Sequence, residues 1–166
     1  MKKYIPAIIC TLAVLLWIGF IWSNSMKTGE ESGETSAQVV EIINETTSQM
    51  GIEEPVSEHT VRKGAHFSEY MVLGFLISLD VFLLLRCRKN VGLDKKALTL
   101  LISVPTSASV ALFDEFIIQK NTIDRGPSLC DVIIDTSGAM TALVCVLFVF
   151  MLSTLFSKGK RIKNKK

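Results

Sequence analysis

The chain has 166 residues, of which 49% are hydrophobic and 20% are charged, and its formal net charge is only +2. Its mean hydropathy is +0.40, which is too apolar for an ordinary soluble domain of this size. We therefore expect a lipid bilayer to be part of its surroundings and expect no nucleic-acid partner.

Four runs of the sequence are long and apolar enough to cross a bilayer, whose core requires about 20 helical residues. They cover approximately residues 4–22, 62–85, 98–118 and 131–156. We predict an all-α membrane protein, because only helices and closed barrels satisfy their own backbone polar groups in lipid. The first run resembles a signal peptide, but it is longer than the usual signal core and no small-residue cleavage site follows it.

The basic residues are distributed unequally around these runs. Thirteen of the eighteen lysines and arginines fall before the first run, between the second and third, or in a basic tail over 157–166. Such residues are retained on the cytoplasmic side when they lie in short loops. We therefore predict a multi-pass protein of the cell membrane, an up-down bundle of four transmembrane helices with both termini cytoplasmic. The segments 23–60 and 119–130 are then external.

The external segment 23–60 is acidic, with eight glutamates against the single cation Lys27 before the second run begins. Within it, Val39, Val40, Ile43 and Met50 fall near one face at helical spacing. Two interpretations follow: a short amphipathic helix that covers the membrane surface or the site, and a partly disordered acidic loop.

Three polar clusters lie at the outer ends of the second, third and fourth runs, where the predicted topology brings them together. Charged groups in a membrane span are costly, so each cluster requires a reason. Neighbouring residues on a helix diverge by about 100°, so we expect Asp114 and Glu115 to face different surroundings. The clusters contain Lys63, His66, Glu69 and Tyr70, then Asp114, Glu115 and Gln119, then Arg125, Ser128, Asp131 and Asp135.

The order and spacing of these residues resemble the VanZ-like family over nearly the whole chain. The family's features are a serine segment after the first span, Lys-x-x-His-Phe-x-Glu-Tyr, Asp-Glu-x-x-x-Gln and Arg-x-x-Ser-x-x-Asp-x-x-x-Asp. The chain departs from the pattern at Asp135, where many relatives carry asparagine. The matching residues are Ser25 and Ser32, then Lys63, His66, Phe67, Glu69 and Tyr70, then Asp114, Glu115 and Gln119, then Arg125, Ser128, Asp131, Asp135 and Gly138.

This resemblance implies a single domain, residues 1–166, in a bacterial integral membrane protein. The family's namesake raises tolerance to the glycopeptide teicoplanin without altering the cell-wall precursor terminus. We therefore expect the chain to recognise or modify a phosphorylated lipid or cell-wall precursor at the outer leaflet and to lower susceptibility to teicoplanin.

The residues leave several roles open for the outer clusters. If the site is catalytic, its candidates are His66, Glu69, Asp114 and Glu115, one of them acting as general base towards water or a lipid hydroxyl. If it binds an envelope lipid or precursor, the candidates are Lys63, Tyr70, Gln119, Arg125, Ser128, Asp131 and Asp135. Arginine and a helix N-terminus both suit phosphate, and Arg62 would assist.

Two further interpretations use the same residues. The carboxylates with His66 suit a divalent cation, either Mg²⁺ or Ca²⁺ through oxygen ligands or Mn²⁺ or Zn²⁺ through the added imidazole. Alternatively, Arg125 pairs with Asp131 or Glu115 as a structural latch. The chain would then be a non-catalytic membrane module that assembles with a partner through its acidic segment.

Overall fold

The computed structural model describes residues 2–52, 54–88 and 94–163, with side chains described as far as residue 152 except at 150. The predicted basic tail, 157–166, lies outside the described side chains. Within the described ranges the chain is helical and contains no strand. The α-helices are α1 (Ile5–Ser25), α2 (Gly29–Gln49), α3 (Glu58–Cys87), α4 (Lys95–Phe113) and α5 (Leu129–Lys163).

Four helical segments of the described chain are long and apolar enough to cross a membrane, and they coincide with the four predicted runs. They are Lys2–Ser25, Glu58–Cys87, Lys95–Asn121 and Leu129–Val149. Large apolar side chains cover much of their surface, and Leu16 is 76% exposed. Such exposure is expected of a side chain whose solvent is lipid.

The helix α2 occupies most of the acidic segment and is not among the four candidate spans. It begins with a capping box, in which the Thr28 hydroxyl accepts from the Glu31 N–H and the Glu31 carboxylate accepts from the Thr28 N–H. Of the two interpretations of this segment, the helix is therefore the one observed. Its inner face is mixed, because Ser36 is buried and Val40 and Ile43 are half-buried, whereas Val39 and Met50 are exposed.

Hydrogen bonds connect the start of α2 to the loop before α5 and its last turns to the linker before α3. At its start, the Gly29 N–H donates to the carbonyl of Ile123 at 3.2 Å. Near its end, the Asn44 side-chain oxygen accepts from the Val56 N–H at 2.8 Å. The helix consequently lies over the molecule instead of extending freely from it.

The helices α3 and α5 approach closely through two glycines. A Cβ added to Gly74 would lie 2.6 Å from the carbonyl oxygen of Ala139, and one added to Gly138 would collide with the carbonyl oxygen of Phe67. Small residues allow such approach between helices in lipid. This close crossing brings the polar residues at the start of α5 beside those at the start of α3.

Hydrogen bonds connect α3 to the end of α1 and to the turn that precedes it. The Lys3 ammonium, just before α1, donates to the carbonyl of Cys87 at the end of α3 at 3.0 Å, and the Asn24 amide donates to the Glu69 carboxylate in the first half of α3 at 2.7 Å. We call the Asn24 end the polar end. There the last turn of α1 and the end of α4 meet the starts of α3 and α5.

Candidate functional site

Asp114 and Glu115 both lie inside the bundle at the polar end and are fully buried. The expectation that they diverge is wrong, because α4 continues into a π-helical turn over Asp114–Ile118. The Gln119 N–H donates to the Asp114 carbonyl in this turn. A π turn contains more residues than an α turn, so successive side chains diverge less and both carboxylates face inward.

The carboxylate of Asp114 is oriented through one of its oxygens. Its Oδ2 accepts from the Ser25 hydroxyl at 2.9 Å and from the Gln119 amide at 3.2 Å. In the described part of the chain, Oδ1 has no hydrogen-bond partner although it is buried. Asp114 therefore has a fixed orientation and one free oxygen.

Glu115 connects the end of α4 to the start of α5. Its Oε1 accepts from the backbone N–H of Ser128 at 2.7 Å, and its Oε2 accepts from the Gln119 amide at 2.6 Å. The Ser128 hydroxyl accepts from the Asp131 N–H at 3.3 Å, as expected of a helix cap. These bonds give Glu115 and Ser128 a clear part in holding the helix ends together.

His66 and Asp135 face each other between α3 and α5. The distance from His66 Nδ1 to Asp135 Oδ1 is 3.6 Å, and the Asp135 side chain is fully buried. One donor atom from each of these residues and one from Asp114 lie within 4.8 Å of one another. The Tyr70 hydroxyl, also buried, is within the electrostatic field of both aspartates.

The other predicted cation and carboxylate positions are arranged differently from the expected latch. Lys63 forms an ion pair with Asp131 across α3 and α5. Arg125 donates instead to two neutral acceptors, the Gln119 side-chain oxygen and the Ser25 carbonyl, each at 3.3 Å. The alternative in which Arg125 pairs with Asp131 or Glu115 is therefore not observed.

A cavity of about 130 Å³ lies between α2 and the polar end. Three cations contribute to its lining, Lys27, Arg62 and Arg125, and its one carboxylate belongs to Glu69. Burial and the nearby charge of Arg62 lower the pKa of Arg125 from its usual value. In the described part of the chain neither arginine forms an ion pair with a carboxylate, so the cavity carries positive charge that its own walls do not neutralise.

The structure thus brings His66, Asp114 and Asp135 together. Lys63 and Asp131 pair with each other and do not line the cavity, whereas His66 does. Sequence reasoning did not include Asn24 and Lys27, which also line this cavity. Both lie just after the apolar run of α1. Their polar character at the end of a membrane span is the sequence feature that could have identified them.

These features define a class: a helical membrane protein with four candidate spans and a buried charged cluster where helix ends meet. A family model described as VanZ/LLP1 matches residues 10–153, and the chain belongs to this family. Neither the curated proteins nor the solved structures include a significant match.

Proposed function

We propose that this VanZ/LLP1 protein binds the phosphate-bearing headgroup of an envelope lipid or cell-wall precursor in the cavity under α2. The observation that carries the proposal is the proximity of Arg62 and Arg125 without a carboxylate bound to either among the described residues. A guanidinium presents parallel N–H donors that match phosphate oxygens. An anion placed between the two arginines would neutralise charges that otherwise repel each other.

The position of Arg125 supports this role. Its bonds to Gln119 and to the Ser25 carbonyl hold the guanidinium in place before any ligand arrives. Less conformational entropy is then lost on binding, which favours affinity. Asn24 and the hydroxyl-bearing residues of α2 complete a polar wall around the anion.

The proposed orientation places the polar end and α2 outside the cell, with the helices up-down and both termini cytoplasmic. The excess of basic residues at the opposite loops and in the tail supports it. The cavity would then lie where the headgroups of the outer leaflet are found. Binding a lipid-linked precursor there would lower susceptibility to teicoplanin, which is the effect of the family's namesake.

The first test measures phosphate recognition directly. The protein in nanodiscs of a neutral lipid is titrated with phosphatidic acid and, separately, with soluble inorganic phosphate. We expect Arg125→Gln and Arg62→Gln to weaken binding roughly 10- to 100-fold, since a hydrogen bond to a charged group contributes about 1.5–3 kcal/mol. The matched control is Arg86→Gln, whose guanidinium lies over the Phe82 ring outside the cavity.

Equal binding by wild type and both cavity variants would refute the anion site. The cellular test compares teicoplanin and vancomycin inhibitory concentrations for cells that express wild type, His66→Ala, Glu115→Gln or Arg125→Ala at matched membrane abundance. A teicoplanin shift that the variants lose supports the resistance role. Inhibitory concentrations equal to those of an empty vector for every variant would remove that role and leave lipid binding to be judged by the titration.

A second candidate function is a non-catalytic membrane module whose charges serve folding. The Lys63–Asp131 ion pair and the Glu115–Ser128 hydrogen bond favour it, since both join different helices. Removing one partner of the ion pair leaves an uncompensated charge. Glu115→Gln puts an NH₂ group where a carboxylate oxygen accepts from Ser128 or Gln119, so one buried donor loses its acceptor. Under this alternative Glu115→Gln reduces membrane abundance, and neither wild type nor Arg125→Gln binds phosphate in the titration.

A further inference from the structure

We propose that His66, Asp114 and Asp135 hold a divalent cation of the zinc or manganese class between α3, α4 and α5. The three side chains come from different helices, and one donor atom of each lies within 4.8 Å of the other two. One imidazole nitrogen with two carboxylate oxygens is a donor set that suits these ions. The proposal does not depend on anion binding in the cavity under α2.

The separation of His66 and Asp135 is the first argument. The distance of 3.6 Å between Nδ1 and Oδ1 is too long for a hydrogen bond. It is close to the distance of about 3.4 Å between two ligands of one tetrahedral ion with bonds of about 2.1 Å. The two atoms are thus spaced as co-ligands and not as a donor and its acceptor.

The unused polar atoms are the second argument. Buried polar groups normally have partners, and each exception requires an explanation. Among the described residues, His66 Nδ1, both oxygens of Asp135 and Oδ1 of Asp114 are buried without a hydrogen-bond partner. These unpartnered atoms belong to the three residues that converge, so a single cation would satisfy one atom of each residue.

Tyr70 gives an independent indication. Its side chain is fully buried, and its hydroxyl has no hydrogen-bond partner in the described part of the chain. Tyr70 lies one helical turn after His66 on α3, so the two side chains are neighbours on one face of that helix. A water bound to the cation would donate a hydrogen bond to this hydroxyl and would complete the coordination that three protein ligands leave open.

The surroundings of Asp114 resemble the second shell of a metal site. Ser25 and Gln119 both donate to Oδ2 and leave Oδ1 free. Hydrogen bonds of this kind orient a carboxylate ligand before the metal binds. The donor atoms now lie within 4.8 Å of one another. Side-chain movements of about 1 Å would bring them to the separation of about 3.4 Å expected between two ligands of one tetrahedral ion.

The test measures metal alone, without phosphate or lipid ligand. Full-length protein purified in detergent is treated with a chelator and reloaded separately with Zn²⁺, Mn²⁺, Mg²⁺ and Ca²⁺. We expect about one equivalent of Zn²⁺ or Mn²⁺ per chain by elemental analysis. We expect at least tenfold weaker binding by His66→Gln and Asp135→Asn.

The matched control is Asp80→Asn, which removes a carboxylate that accepts from Thr11 in α1, away from the three proposed ligands. This variant should bind metal as wild type does. Folded wild type that takes up none of the four ions, or variants that bind as tightly as wild type, would overturn the site. Failure of metal binding leaves the phosphate titration unaffected, so the two proposals can fail separately.

If the ligand variants do not fold, X-ray absorption on the metal-loaded wild type decides the question. The expected first shell contains one imidazole nitrogen and two or more oxygens at about 2.0–2.2 Å. A shell of oxygen alone would exclude His66 and overturn the proposal.

Discussion

Gly138 determines how closely α3 and α5 approach, and its replacement should be costly. We expect Gly138→Ala to lower the free energy of unfolding by about 1–3 kcal/mol, because the added methyl group would meet the Phe67 backbone. The change is measurable as the midpoint of denaturant unfolding in mixed micelles. Gly19→Ala is the control, since a Cβ at Gly19 meets nothing within 4 Å. A similar midpoint for the two variants would contradict this account of the crossing.

Single residues of the site were identifiable from the sequence because charges are rare in apolar helices. His66, Asp114 and Asp135 are all recognisable on this basis, and they converge. The ion-pair partners of the charged residues were harder to predict from the sequence. The partner of Asp131 is Lys63 and not Arg125, a choice that depends on distances of a few ångströms between helix ends.

At the level of elements, α2 was partly predictable. The spacing of Thr28 and Glu31 is that of a capping box, and the apolar residues recur at a helical period. The direction of the helix faces was only partly predictable from apolar periodicity, because Val40 and Ile43 are half-buried but Val39 and Met50 are exposed. This helix covers a polar cavity, so Ser36 is buried on the same side.

The cap of α2 should control the stability of this cover. We expect Thr28→Ala to destabilise α2 by about 1 kcal/mol, since both hydrogen bonds of the box involve Thr28 or depend on its conformation. Hydrogen exchange of the first-turn amides should accelerate about fivefold, as measured by mass spectrometry.

Thr46→Ala serves as the control within the same helix, because the Thr46 hydroxyl is exposed and bonds only to the Ile42 carbonyl among the described residues. It should leave exchange at the first turn unchanged. Equal exchange in the two variants would mean that tertiary contacts, and not the cap, maintain this end of α2.

For the whole molecule, hydropathy alone located the four helices that are able to cross a membrane. That success has a simple cause: lipid demands about 20 apolar residues and an internally bonded backbone from every span. The π turn at Asp114 could not be predicted in this way, because the hydropathy of a sequence does not distinguish a π turn from an α turn.

The proposed orientation predicts which residues are reached from outside the cell. A cysteine at Lys120, an exposed position at the polar end, should react with a membrane-impermeant thiol reagent in intact cells after Cys130 is replaced by serine. A cysteine at Lys166 should react only after permeabilisation, because the tail is expected in the cytoplasm. Labelling of the tail but not of position 120 in intact cells would reverse the topology.

The π turn also has a consequence for sequence comparison within the family. Such a turn is equivalent to one residue inserted into an α-helix, and here it lies between α4 and the short 3₁₀ turn Gln119–Asn121, so α4 itself keeps its register. A relative one residue shorter between 114 and 118 would therefore retain the same arrangement of helices and the same hydropathy profile. It would present only one of the two carboxylates to the bundle interior. A single-residue gap at this point of an alignment would then separate members with different internal charge, although their membrane spans would be indistinguishable.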